Sequence, residues 1–96
     1  MMFELTGFQR DILYCIADTD DPYGLEIKQQ LEEASSIEVN HGRLYPNLDT
    51  LVEEGLVEKK AKDDRTNLYL LTERGINLIK QRRQWEDSKL SEIDLA

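Results

Sequence analysis

The hydrophobic period of this chain switches from helical to strand-like at Gly55, and that switch limits its architecture more than any other feature. Before Gly55, apolar residues recur at helical spacing in three separate stretches. After it, Leu56-Val57-Glu58-Lys59-Lys60-Ala61 and Asn67-Leu68-Tyr69-Leu70-Leu71 read as two short strands around the charged loop Lys62-Asp63-Asp64-Arg65-Thr66. A helical pattern then resumes. The resulting order is helix, helix, helix, hairpin, helix.

Local signals set the ends of these elements. Thr6 is placed to cap a first helix to about Ala17, with Leu5, Phe8, Ile12, Leu13 and Ile16 forming its stripe and Cys15 widening it. The turn formers of Asp18-Thr19-Asp20-Asp21-Pro22-Tyr23-Gly24 break that helix. A second helix is expected from about Leu25 to Ala34, with Leu25, Ile27 (or the stem of Lys28) and Leu31 inward, and a short extended stretch at Ile37-Glu38-Val39 follows. Asn40 caps a third helix running to Glu54 and closed by Gly55, with Leu44, Leu48, Leu51 and Val52 as its apolar face. Thr72 caps a last helix from Glu73 to about Leu90.

A helix pair joined by a turn and followed directly by a hairpin has the layout of a winged helix-turn-helix, in which the third helix reads a DNA groove. The fold expected is therefore mainly α with a small β-hairpin. Residues 1–72 would form the winged helix-turn-helix and residues 73–96 a C-terminal dimerisation helix. At 100° per residue, Arg43, Pro46, Asn47, Thr50 and Glu53 cover much of the third helix opposite its leucines. That face offers Arg43 to guanine edges or phosphate, Asn47 to adenine edges and Thr50 to either. Lys59, Lys60, Lys62 and Arg65 make the hairpin basic, as suits a wing on the backbone or in a minor groove. Pro46 lacks an amide and crowds the carbonyl of Gly42, so a kinked or tightened first turn presenting Asn40, His41 and Arg43 is expected.

The net charge of −8 runs against the basic footprint usual for DNA binders, and its distribution bears on the point. Residues 1–40 carry two basic groups against nine acids, whereas residues 41–83, which hold the third helix and hairpin, carry nine against seven. Other function classes find little support. There is one histidine, no glycine-rich phosphate loop, no Ser/His/Asp set and no cluster with zinc spacing, so neither an enzyme nor a metal or other cofactor is expected. No apolar run reaches membrane-spanning length, Glu4 stands where a signal peptide would be basic, and the one cysteine excludes an internal disulfide. A cytoplasmic protein follows from these features as an expectation. Cys15 reads as a packed core residue rather than a redox sensor.

Several motifs, in order, resemble the PadR family of transcriptional regulators: Tyr23-Gly24-Leu25-Glu26-Ile27, Gly42-Arg43-Leu44-Tyr45-Pro46-Asn47-Leu48, Gly55-Leu56-Val57, and Arg65 with Tyr69-Leu70-Leu71-Thr72-Glu73-Arg74-Gly75. The resemblance spans roughly residues 5–80. It implies a dimeric, repressor-type binder of double-stranded DNA at a palindromic operator, with Tyr45 and its neighbours touching DNA and the last helix dimerising. Family members that sense ligands often have a longer C-terminal helical domain than the roughly twenty-four residues after Thr72, so no effector is assigned. The acidity resembles that of haloarchaeal proteins. In the last helix, Leu78 and Trp85 lie a heptad apart, with Arg82 and Leu90 nearby, and Trp85 is large enough to anchor a two-fold interface. Ile76 and Ile79 are expected to pack inward. The competing reading is a winged helix used only for protein contacts, its acidic surface meeting a basic partner.

Overall fold

The computed structural model describes residues 4–93; the outermost residues of the two expected domains, 1–3 and 94–96, lie outside the described residues. Six elements follow in order: α1 (Gly7–Ala17), α2 (Gly24–Ser35), α3 (His41–Glu53), β1 (Val57–Ala61), β2 (Asn67–Leu71) and α4 (Glu73–Lys89). Three of the four helices start where the sequence places a cap. Thr6 accepts the Gln9 amide while the Gln9 side chain accepts the Thr6 amide, a reciprocal capping box. Asn40 accepts the Arg43 amide and Thr72 the Gly75 amide. Gly55, at φ 76°, turns the chain out of α3 in the left-handed region that glycine enters without a Cβ clash.

β1 and β2 pair antiparallel in the register Val57 to Leu71 and Ala61 to Asn67. A bridge from Tyr23 to Leu68, with the Tyr69 amide donating to the Pro22 carbonyl at 2.8 Å, fastens the loop after α1 to the free edge of β2. The hairpin is thus tied to the helical body near its turn, one register position from the Ala61 to Asn67 pair that closes the loop.

One core holds the domain together: Leu5, Ile12, Leu13 and Ile16 from the first helix region, Ile27 and Leu31 from α2, Leu44, Leu48 and Leu51 from α3, and Val57 and Tyr69 from the hairpin. Apolar burial of this kind supplies the driving force that offsets chain entropy. Two inward expectations fail. Leu25 is 48 % exposed, because Gly24, not Leu25, turns toward α3. Ile76 is 42 % exposed, and α4 instead lays Leu78 and Ile79 against the core. The stretch 37–39 forms no strand. Val39 is buried, its amide bound to the Glu32 carboxylate at 2.9 Å, and Ile37 stands 63 % exposed.

α4 is anchored over its first two turns, through Gly75, Leu78 and Ile79. Gly75 lies so close to the Leu56 carbonyl that a Cβ would collide with it, and the Thr72 hydroxyl donates to the Gly55 carbonyl at 2.7 Å. Seventeen residues at about 1.5 Å each carry the helix about 26 Å, well past the hairpin it rests on. Gly75 is its one fully buried residue.

Candidate nucleic-acid interface

The third helix runs unbroken from His41 to Glu53 through Pro46. Its first turn is tightened as expected, since the Arg43 amide approaches the Asn40 carbonyl at 3.2 Å in addition to the side-chain cap. Leu44, Leu48 and Leu51 are fully buried, which turns Gly42, Pro46 and Glu53 outward. The other candidates lie along the two flanks of that outer face.

On the flank toward α1, the Arg43 guanidinium lies 3.9 Å from the centroid of the Phe8 ring. Asn47 follows one turn later. Its amide nitrogen donates to the Arg43 carbonyl at 2.7 Å, and its side-chain oxygen accepts from Gln9 at 3.0 Å. Reading an adenine edge requires both functions of an asparagine amide. Asn47 therefore has to give up these bonds, including the link to α1, before it can do so. Thr50 donates to the Pro46 carbonyl at 3.1 Å, a local bond that an exposed hydroxyl exchanges readily.

On the opposite flank, His41 stacks on Tyr45, ring centroids 5.3 Å apart and planes 4° from parallel. The Tyr45 ring in turn lies on Gly24, where a Cβ would meet its Cζ at 2.7 Å. Tyr45, Gly24, Tyr23, Arg65, Thr66 and Tyr69 border a cleft of about 270 Å³ between the start of α2, the third helix and the wing.

The wing is less freely basic than its composition suggests. Lys60 is exposed on β1 opposite Leu68. Lys62 is engaged: its ammonium lies 2.7 Å from the Asp21 carboxylate on the loop after α1, and this hydrogen bond holds its pKa above the ordinary lysine value. Asp63 shapes the tip, accepting the Arg65 and Thr66 amides at 2.9 and 2.8 Å. Those bonds, the Arg65 amide foremost, keep its carboxyl below the usual aspartate value. Arg65 is exposed and forms no ion pair among the described residues. Tyr23, Tyr69 and the Asp21 partner of Lys62 were not candidates from sequence. The available signal was that Tyr23 and Tyr69 stand within the family-like motifs of the sequence.

On α4, Leu78 is half-buried against the core, while Leu90 is exposed at the helix end. The Arg82 guanidinium lies 4.7 Å from the centroid of the half-buried Trp85 ring and pairs with Glu86 at 3.3 Å. The Lys89 ammonium lies 5.9 Å from the same ring. Away from the wing, a groove of about 670 Å³ runs between α1 and α2, bordered by Phe8, Tyr14, Cys15, Leu31 and Ile37. Burial, then the charges of Asp11 and Asp18, push the Cys15 thiol up to about 11, so it is protonated and unreactive at neutral pH. Among the described residues no helix is long and apolar enough to cross a membrane, and no group of three or more His, Cys, Asp or Glu is placed to hold a metal.

Residues 12–81 match the transcriptional regulator PadR-like family. No curated protein matches the chain. Among solved structures, RosR of H. salinarum is 49 % identical, with a TM-score of 0.88 over 94 % of this chain and 81 % of that one. A transcriptional regulator from Clostridium thermocellum is 22 % identical, with a TM-score of 0.70 over 88 % of this chain and 90 % of its own. F93 from STIV, a winged-helix DNA-binding protein, is 17 % identical, with a TM-score of 0.68 over 91 % and 90 %. The last two likenesses concern the fold alone. With the family matched across most of its length, the chain belongs to the transcriptional regulator PadR-like family and is a winged-helix DNA-binding regulator, not an enzyme.

Proposed function

We propose that this regulator acts as a homodimer on a palindromic operator, with α3 in the major groove and the wing on the backbone or minor groove of each half-site. The observation that carries the reading is the placement of α3: its leucines are wholly buried, its opposite face is open, and the basic hairpin stands beside it. Arg43, His41, Tyr45 and Thr50 then meet the DNA, with Asn40 at the helix start. Asn47 positions α3 against α1 through Gln9, and base reading falls mainly to Arg43. Lys60 and Arg65 supply the wing's backbone contacts, and Lys62 joins them only on leaving Asp21.

Dimerisation falls to α4, which outruns the body it packs on and exposes Ile76 and Leu90. Leu78, Arg82, Trp85 and Leu90 form the contact, with Trp85 as its anchor. The repressor assignment follows the family resemblance. The acidic surface suits concentrated salt, where counterion release contributes little and base and shape contacts have to carry affinity. With Lys62 paired to Asp21, one wing cation is withheld from the salt-dependent part of the affinity.

Binding-site selection with the wild type and Arg43→Ala tests this. The expected wild-type motif is palindromic, its half-sites centred about 10 base pairs apart. The variant should lose preference at one position in each half, with a cost of about 1–3 kcal/mol. Failure to enrich any motif, or a motif without two-fold symmetry, would refute the proposal. Identical motifs from both proteins would leave Arg43 as a backbone clamp.

A further inference from the structure

Two residues on one flank of α3 are held by the first turn of α1, and in opposite ways. The Arg43 guanidinium lies over the Phe8 ring, 3.9 Å from its centroid. A contact that close uses the flat face of the guanidinium and leaves the N–H fork, which lies in its plane, open to an acceptor. Arg43 is exposed, so Phe8 aims it without consuming it.

Gln9 treats Asn47 differently. The Gln9 side-chain oxygen accepts the Thr6 amide at 3.1 Å, and its nitrogen donates to the Asn47 side-chain oxygen at 3.0 Å. The Asn47 nitrogen then donates to the Arg43 carbonyl at 2.7 Å. The ends of this chain cannot be exchanged, since a backbone amide only donates and a backbone carbonyl only accepts. Both side-chain amides are therefore fixed in one sense, each with its oxygen on the Thr6 side and its nitrogen on the Arg43 side. Gln9 is itself held by the cap that starts α1, its own amide donating to the Thr6 hydroxyl at 3.1 Å. An adenine edge asks for the oxygen and the nitrogen of an asparagine together. Asn47 cannot turn that pair outward without breaking the chain and leaving the half-buried Gln9 amide without its acceptor.

We propose that Gln9 determines sequence preference: it withholds Asn47 from the bases and leaves each half-site to be read through Arg43. Gln9 is a positioning residue, acting through Asn47 and touching no base itself. The inference rests on the reading of α3 as the groove helix and deepens it, because the choice between two readers on α3 is made from α1.

Binding-site selection on the full chain and its variants tests this. Gln9→Ala frees Asn47 and should add a preference for adenine, about tenfold, at one further position in each half-site. Combining Gln9→Ala with Asn47→Ala should restore the wild-type motif, and Asn47→Ala alone should keep it. Thr6→Ala weakens the same helix cap but leaves Gln9 on Asn47, so its motif should be that of the wild type. A merely structural role for Gln9 would instead make Thr6→Ala and Gln9→Ala alike. Gln9→Leu also lacks the amide while filling more of its space, and carries the test if Gln9→Ala melts early. A wild-type motif from both Gln9 variants, or a base preference lost in Asn47→Ala alone, would overturn the inference while leaving the DNA-binding reading intact. A wild type that enriches no motif would overturn both.

Discussion

Gly75→Ala puts a sign, not merely a size, at stake. Gly75 is the third residue of α4, and helix propensity alone favours alanine there by up to about 1 kcal/mol. The structure opposes that gain. A Cβ at this position would collide with the Leu56 carbonyl oxygen, and it would lie 3.2 Å from the carbonyl carbon and 3.4 Å from a Leu71 methyl. The obstacle is backbone, so no rotamer change relieves it. α4 has to lift, which costs about 1–3 kcal/mol as overpacking. Lifting also stretches the 3.1 Å bond from the Thr72 amide to the same carbonyl, worth about 1 kcal/mol. The net expectation is a destabilisation of about 1–3 kcal/mol, or a melting temperature lower by about 4–8 °C for each kcal/mol. Gly42→Ala is the matched control. Its Cβ would meet nothing nearer than the Asn40 side-chain oxygen at 3.4 Å, so it should be neutral or stabilising by up to about 1 kcal/mol. Urea unfolding followed by Trp85 fluorescence, at two protein concentrations to separate folding from dimerisation, reads both variants. A Gly75→Ala midpoint at or above wild type would refute the packing account of how α4 is fixed.

Trp85→Ala should shift the protein toward monomer, losing about 2–4 kcal/mol of association typical of an interface anchor; an unchanged sedimentation coefficient at micromolar concentration would remove Trp85 from the interface. Asp21→Asn releases Lys62, so DNA affinity should rise severalfold with a steeper dependence on salt, whereas Asp20→Asn, with the same change in charge but no such partner, should do less. Equal effects would show that the pairing does not restrain the wing. Cys15 should resist iodoacetamide at pH 8 and react only as pH approaches 11. Because its folded pKa lies above the thiol's ordinary 9, its contribution to stability is complete below pH 9 and fades as pH rises toward 11. Cys15→Ala should flatten that fall, and an alkaline unfolding profile identical to wild type would contradict the burial assigned to the thiol.

Sequence alone determined the elements of this protein, because what sets them is local. Thr6, Asn40 and Thr72 cap helices through bonds to residues three positions away, Gly55 ends α3 by its own backbone freedom, and the leucines of α3 mark its buried face by period. Those interactions are the same in any fold that contains the segment, so the winged-helix order and the family motifs were both legible. What the sequence left undecided were pairings across long separations. Gln9 takes up Asn47 thirty-eight residues away, and Asp21 takes up Lys62 forty-one residues away. By composition Asn47 was a base reader and Lys62 a free wing cation, and nothing in their neighbours suggested otherwise. Leu25 and Ile76 were misplaced for a related reason: which apolar residue of a broad stripe turns inward depends on where the facing element lies. Tyr45 lies against Gly24, and α4 meets the body at Gly75, so the adjacent apolar side chains are left outside. Period tells a helix which residues to offer, and only the packed neighbour decides which of them it takes.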